Sequence, residues 1–208
     1  MRCMSSPLSR WLLRCAVAVA CGLMGPTVSV ASDDDYLQFR EGDESTMDFV
    51  VVGPDRQGKK GTLLRMVGGE VKRDGKVYWK VRSWMRDGPF RFDESKLVRK
   101  DEKGVYAIDL KSEDQREQVE IVLPLKVGRE WTRTWRGVEV KERVEKLETV
   151  KIGEKRYERC YHIHTEAMDG SFWEDYWEAP RVGWVKSVSA AAGGVITVTL
   201  REFKAGQR

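Results

Sequence analysis

The chain is poor in cysteine and histidine, and after its N-terminal segment it has no long hydrophobic run. Four cysteines and two histidines occur in 208 residues. Three of the cysteines, Cys3, Cys15 and Cys21, lie within residues 1–31, so Cys160 is alone in the remainder. A lone cysteine cannot form an intramolecular disulfide, and stability must come from a packed core. The roughly 177 residues that follow the N-terminal segment are enough for such a core.

The chain also lacks a strong excess of charge of either sign. It contains 37 Lys and Arg against 33 Asp and Glu, and residues 1–31 hold three arginines and no acidic residue. Without that segment, 34 basic residues face 33 acidic ones. Nucleic-acid-binding proteins usually carry a basic stripe or a strong positive charge, whereas Lys and Glu are interspersed here. The composition argues against a nucleic-acid partner.

Residues 1–31 have the pattern of a secretory signal peptide. Three arginines precede an apolar run from Cys15 to Met24, and Ser29-Val30-Ala31 places small residues just before a cleavage site at Ser32. A membrane span needs about 20 apolar residues, so the short run, broken by Gly25-Pro26, argues against one. The sequence therefore predicts export to the periplasm or the outside, with no transmembrane span in the mature chain.

Lipid attachment at Cys21 is a minor alternative. Ala18-Val19-Ala20-Cys21 loosely resembles a bacterial lipoprotein signal. The usual leucine three residues before the cysteine is missing, and Arg14 interrupts the apolar stretch. Cleavage after Ala31 is therefore the favoured prediction.

The mature chain has the pattern of an all-β protein. Short apolar stretches are separated by turn signals such as Gly68-Gly69 and Asp74-Gly75. Residues 138–152 contain good helix formers, but their valines alternate with polar residues, which favours a strand. Asp93 to Lys96 could begin a helical turn. We predict strands over 46–52, 62–67, 77–85, 105–110, 119–123, 131–135, 138–152, 157–165, 172–178, 184–188 and 195–203.

The second half of the chain repeats the first in outline. Residues 39–46 align with 125–132, and residues 97–106 align with 176–185. Self-similarity of this kind predicts an internally duplicated fold. We predict a first β repeat over 32–115 and a second over 116–208, with Gly42 over Gly128 and Gly104 over Gly183. The two repeats should form one compact antiparallel, curved sheet, shaped as an open or closed barrel or a sandwich.

Four sequence motifs resemble those of the TapB-like proteins, an uncharacterised family of secreted bacterial β proteins. They are Leu123 to Trp131, Arg156 to Cys160, Tyr176 to Lys186, and the first-half equivalent Val98 to Tyr106. The resemblance covers most of residues 36–203 and implies a fold, with no catalytic residue to transfer. The chain departs from the family where Asp43-Glu44-Ser45 replaces a phrase that bears a tryptophan.

A polar strand face is the first candidate site. In a strand over 157–166, Cys160, His162 and His164 share one face with two glutamates. Same-face neighbours are roughly 6–7 Å apart, which suits a zinc or copper ion. The alternative is the polar outer face of a half-buried strand. Because a closed zinc site needs four ligands, we predict that these residues bind no structural metal. Nothing in the sequence marks an oxyanion donor or an orienting third group for a Cys160–His162 nucleophile pair, so no catalytic residue is assigned.

Aromatic residues form the second candidate site. Five tryptophans crowd into the second half: Trp131, Trp135, Trp173, Trp177 and Trp184. They could line a groove for an apolar ligand, a peptide or a sugar ring. The alternative is a core filled with large rings, since aromatic residues are common in strands.

These observations predict a non-catalytic, exported binding or interaction module of the cell envelope. Its partner would be an envelope protein or a small apolar ligand, and no cofactor is expected. A carrier of an apolar ligand in a β cavity is the second hypothesis, and a metal-dependent or hydrolytic enzyme is the third. A cavity of several hundred Å³ lined by second-half aromatics would favour the carrier.

Overall fold

Twelve antiparallel strands form a single sheet. The structure is a computed structural model that describes residues 32, 35–53, 58–191 and 194–206. The signal peptide predicted over 1–31, with Cys21, lies outside the described residues. The strands are β1 Glu44–Val52, β2 Lys59–Arg73, β3 Lys76–Asp87, β4 Asp93–Lys100, β5 Gly104–Asp109, β6 Gln118–Val122, β7 Glu130–Trp135, β8 Val138–Ile152, β9 Lys155–Ala167, β10 Phe172–Ala179, β11 Gly183–Ala191 and β12 Gly194–Lys204.

The order of the strands around the sheet is β6-β5-β4-β3-β2-β1-β12-β11-β10-β9-β8-β7. Neighbouring strands are therefore consecutive in the chain, except where β1 pairs with β12. The sheet curves until its two edges, β6 and β7, nearly meet. The prediction of an all-β, antiparallel, curved sheet is confirmed, and its shape is a nearly closed barrel.

Side chains rather than a backbone ladder join the two edges. The Trp131 indole Nε1 on β7 donates a hydrogen bond to the main-chain oxygen of Glu120 on β6 at 3.3 Å. The Arg133 guanidinium lies 3.4 Å from the Glu120 carboxylate. We call this junction of β6 and β7 the seam. Within the described residues, no strand pairing joins β6 to β7, and side-chain contacts connect these two edges.

Strand β4 was not predicted, and Asp93 to Lys96, which could have begun a helical turn, form the start of a strand instead. Those residues belong to a strand that pairs with β3 and β5. Glu94 and Lys96 face the barrel interior, where Lys96 contacts the carboxylates of Glu94 and Glu120 at 3.5 and 3.2 Å. The inward face of β4 is therefore partly charged, so the alternation that marks a strand is missing from its sequence.

Residues 35–43 cross one end of the barrel. The Tyr36 hydroxyl donates to the main-chain oxygen of Arg159 on β9 at 2.6 Å. The Lys100 Nζ on β4 donates to the Tyr36 main-chain oxygen at 2.9 Å. Because β4 and β9 are seven positions apart in the strand order, this segment connects distant walls and covers that end. Tyr36 is buried among the residues of one apolar core cluster.

The opposite end, which we call the mouth, includes the connections at residues 88–92, 136–137 and 168–171. They join β3 to β4, β7 to β8 and β9 to β10. No helix in the described part of the chain has the length and apolarity needed to cross a membrane.

Candidate ligand-binding cavity

A cavity of about 530 Å³ lies inside the barrel below the mouth. Apolar side chains dominate its wall. Paired strands supply part of that wall, because residues opposite each other share a face: Phe49 lies opposite Val198, and Leu63 lies opposite Met85. The aromatic members are Phe49, Phe90, Phe92, Trp135, Phe172 and Trp184. This arrangement produces an apolar space that is closed on its sides by strands.

Ring contacts hold the rim of the cavity in place. Phe90, from the β3–β4 connection, meets Phe49 edge to face with 5.3 Å between ring centroids. Trp135 and Phe172, on β7 and β10, have centroids 4.7 Å apart. Such pairs are worth about 0.5–1.5 kcal/mol beyond their buried area. The rim is therefore built by aromatic contacts between elements that are distant in sequence.

Three polar side chains of β10 and β11 interrupt the apolar wall. Glu174, Ser187 and Ser189 line the cavity, and Glu174 lies opposite Ser189 in the sheet. Burial raises the pKa of the Glu174 carboxyl, and the hydrogen bond from Ser187 opposes that rise. Glu174 is therefore an acidic group that holds its proton more readily than an ordinary glutamate, in a mostly apolar chamber.

A chain of interior charges continues from the cavity to the seam. The Arg133 guanidinium lies 2.6 Å from the carboxylate of Glu142, which is fully buried. Arg133 and Lys96 both contact Glu120, at 3.4 and 3.2 Å. The Tyr176 hydroxyl lies 3.4 Å from Glu142. We call Glu94, Lys96, Glu120, Arg133 and Glu142 the interior charge network.

The environment shifts two of the three carboxyls of that network, those of Glu142 and Glu120, in opposite directions. Burial raises the pKa of Glu142 to about 7 despite Arg133. Burial also acts to raise the pKa of Glu120, but Lys96 and Arg133 outweigh it and hold that pKa below its usual value. Glu120 is therefore the firmly ionised carboxylate of the two, because both Lys96 and Arg133 contact it. Of these two cations, Glu142 contacts only Arg133, which it shares with Glu120.

A second hollow, of about 440 Å³, lies at the covered end of the barrel, beside residues 37–40 and the turns at Lys100–Glu102 and Leu123–Pro124. It is a groove on the surface beside the N-terminal segment. The cavity below the mouth is the better candidate because strands enclose it and its polar groups are few and close together.

The structure divides the five tryptophans of the second half. Trp135 and Trp184 line the cavity. Trp131 is buried at the seam. Trp173 lies opposite the exposed Glu166. Trp177 stacks on His162 with 4.5 Å between ring centroids. Only the first two of the five are brought together at one space.

His162 and His164 lie on one face of β9, whereas Cys160 does not share that face. His162 Nε2 and His164 Nδ1 lie 2.8 and 2.9 Å from one oxygen of Asp175 on β10. Cys160 is completely buried in an apolar cluster, and its thiol donates to the Tyr157 main-chain oxygen at 3.3 Å. A bulge explains the difference, because Arg159 has a φ of 56° and the β8–β9 register shifts beside it.

Burial raises the pKa of the Cys160 thiol to about 11, so the thiol is protonated at neutral pH. Within the residues that the structure describes, no group of three or more His, Cys, Asp or Glu side chains is arranged to hold a metal ion. That this strand binds no structural metal stays a prediction, which thermal melts with EDTA and with added zinc test directly.

Sequence reasoning missed Glu174, Phe90 and Phe92 as cavity residues. Phe172, Glu174 and Tyr176 share one face of β10 because they are two residues apart. An acidic residue between two aromatic residues on the same face was therefore the available signal. The phenylalanines of residues 88–92 lie in a connection, where no periodic pattern identifies an inward-facing residue.

No known protein family matches the sequence, and no curated protein matches it. Solved structures do match. A protein with a YmcC-like fold from Bacteroides fragilis NCTC 9343, provisionally described as exported, superposes with a TM-score of 0.53 at 11% identity, covering 82% of this chain and 99% of that one. A β-barrel-like protein of the domain of unknown function DUF1849 from Brucella abortus gives a TM-score of 0.44 at 8% identity, over 82% and 100% of the two chains. The first similarity shows a shared fold.

Proposed function

We propose that this chain is an exported, non-catalytic binding protein that carries an apolar ligand in its barrel. The observation that carries the proposal is the cavity of about 530 Å³ with its aromatic lining. Its volume falls within the roughly 300–1,000 Å³ of small-molecule sites. Trp135, Phe172 and Trp184 of the second half contribute to it, as the carrier hypothesis requires. The carrier therefore ranks above a module for an envelope protein.

An enzyme remains the weakest hypothesis. The one thiol of the mature chain is buried and protonated at neutral pH, which makes it a poor nucleophile. The two histidines of the chain are occupied by Asp175 on a face of the sheet away from the cavity.

Two measurements test the carrier. Native mass spectrometry of the protein purified from its own host should detect a retained apolar molecule. Titration with the apolar dye N-phenylnaphthylamine should give saturable binding, which Ser189→Phe should abolish by filling the cavity. Thr199→Phe is the matched control, because Thr199 lies opposite the outward-facing Asp48 on the neighbouring strand. Dye binding that is absent in the unaltered protein, or equal in both variants, contradicts the proposal.

Intrinsic fluorescence provides an independent test. Dye bound in the cavity should quench Trp135 and Trp184, which line it. Trp135→Phe should therefore remove part of the quenched signal, whereas Trp177→Phe should not, since Trp177 stacks on His162 outside the cavity.

Export is part of the proposal. It rests on the signal-peptide pattern of residues 1–31 and on the cleavage motif before Ser32. N-terminal sequencing should find Ser32. A lipid-modified Cys21 would instead make the lipoprotein alternative correct and anchor the carrier to a membrane.

We also propose that the two halves are copies of one unit related to the TapB-like proteins. The strand order supports duplication, because β1–β6 and β7–β12 follow one another around the sheet in the same sequence. The strand order favours a boundary between the two repeats within residues 123–129 and not at residue 115, because β6 pairs with β5 of the first repeat. Gly104 and Gly183 open the corresponding strands β5 and β11.

A further inference from the structure

The cavity has one acidic group whose charge no cation in the barrel neutralises directly. Resting on the proposed function, we propose that the ligand is a cationic amphiphile, a hydrocarbon chain with a protonated amine that pairs with the Glu174 carboxylate.

The position of Glu174 places the head group inside the barrel. Phe172 begins β10 next to the mouth, and Glu174 follows it by one same-face step, roughly 6–7 Å further in. Ser187 and Ser189 on β11 line the cavity beside it. An amine at Glu174 thus has acceptor oxygens on two strands, while its chain extends along the aromatic rim.

The pairing of the other interior charges shows why Glu174 is different. Arg133 contacts two carboxylates, those of Glu142 and Glu120. Lys96 also contacts two carboxylates, at 3.2 and 3.5 Å. Among the described residues, no Lys, Arg or His nitrogen is paired with Glu174 within 4.0 Å. An unpaired carboxylate in an apolar chamber is unfavourable, and an ammonium group from the ligand would supply the missing cation.

Burial raises the pKa of the Glu174 carboxyl, and neighbouring Asp175 adds to the rise, whereas Ser187, Arg133 and Lys96 oppose it. The free protein therefore tends to keep a proton at this site. A neutral amine that enters the cavity takes that proton from the carboxylic acid, forming an ammonium and a carboxylate in contact. No other bond forms or breaks.

Arg136 is the cation that an anionic ligand would use. It lines the cavity, but its side chain is 55% exposed and lies 4.0 Å from Glu94. Its guanidinium also lies over the Trp135 ring, 4.8 Å from the centroid. A carboxylate would meet it at the mouth, in water, where ion pairs contribute little. Glu174, which lies further inside the cavity than Arg136, therefore determines which head group is preferred.

The test compares three ligands with the same chain and different heads: dodecylamine, dodecanol and dodecanoate, each below its aggregation concentration at neutral pH. Affinities are measured by displacement of N-phenylnaphthylamine and by calorimetry on the purified protein. We expect the amine to bind roughly 10- to 100-fold more tightly than the alcohol, because a charge-assisted contact is added, and the carboxylate to bind most weakly. This ranking needs no variant.

Two variants test whether Glu174 causes the preference for the amine. Glu174→Gln should bring the affinity for the amine down to that for the alcohol and leave alcohol binding intact. Glu166→Gln is the matched control, since Glu166 is exposed on the neighbouring strand β9. Thermal melts of both variants establish that they fold.

Each outcome separates the two proposals. If none of the three ligands binds, the proposed carrier function fails. If all bind and the amine shows no advantage, the cavity carries ligands but the amine inference is overturned. If the carboxylate binds most tightly and Arg136→Gln removes that advantage, the ligand is an anion held at the mouth and the inference is likewise overturned.

Discussion

Gly42 and Gly128 occupy turns of the same construction. Their φ angles are 85° and 84°. The Gly42 N–H donates to the main-chain oxygen of Val67 on β2 at 2.8 Å, and the Gly128 N–H donates to that of Val144 on β8, also at 2.8 Å. The two turns precede β1 and β7, which stand six strands apart in chain order. The same local geometry thus introduces both halves of the barrel.

Replacing either glycine with alanine should cost similar stability. A side chain at a positive φ costs about 1–2 kcal/mol, so Gly42→Ala and Gly128→Ala should each lower the free energy of unfolding by that amount, measured in urea. Gly68→Ala is the control, because its Cβ would meet that of Lys80 at an ordinary 3.5 Å. A large loss for one glycine and none for the other would show that the turns are not equivalent.

The seam should be the first part of the barrel to open. Trp131→Phe removes the 3.3 Å hydrogen bond to Glu120 and leaves a small void, which should cost about 1–2 kcal/mol. Hydrogen exchange should accelerate most at the amides of β6 and β7. Trp173→Phe, made on the strand face that carries exposed Glu166, should leave exchange at the seam unchanged. Uniform acceleration over all twelve strands would contradict the prediction.

Two buried carboxyls should make the protein less stable as the pH rises. Burial raises the pKa of Glu142 and of Glu178 to about 7, against Arg133 and Arg65 respectively. Because the folded state holds these protons more tightly than the unfolded state, their stabilisation is complete below about pH 4.5 and is lost as the pH rises through 7. Each group contributes a slope of at most about 1.4 kcal/mol per pH unit.

Urea unfolding between pH 5 and pH 8 measures that slope. Glu178→Gln should reduce it, because the amide cannot ionise, while Glu142 still contributes its share. Glu158→Gln is the control, since the Glu158 side chain is 74% exposed. Glu117 acts in the opposite direction: Arg99 lowers its pKa to about 2, so its stabilisation is lost only in strong acid. Stability that rises steadily from pH 5 to pH 8 would overturn the assignment.

Cys160 should resist alkylation while the protein is folded. The residue is completely buried, and burial raises its pKa to about 11, whereas the thiolate is the reactive form. Iodoacetamide at neutral pH should label it only as fast as the protein unfolds, as read by mass spectrometry with and without urea. Labelling in native buffer at the rate of a free peptide thiol would place Cys160 on the surface.

The sequence by itself determined the class of the fold and most of its strands. Alternation along 138–152 identified β8 with its observed bounds, because a period of two is a local property that neighbouring residues record. Cys160 is the one cysteine among the described residues, so packing and not an internal disulfide holds the barrel together. Turn signals such as Asp74-Gly75 located a hairpin because they reflect local backbone conformation.

Tertiary structure alone decided where the charged and aromatic side chains meet. The inward-facing charge of Lys96 hid β4 in the sequence because its partner Glu120 lies on another strand, β6. A positive φ at Arg159 turned Cys160 away from its expected face. Trp135 faces the cavity while Trp131 closes the seam, four residues earlier. Such assignments depend on sheet curvature and on contacts between residues far apart in sequence, which no local pattern encodes.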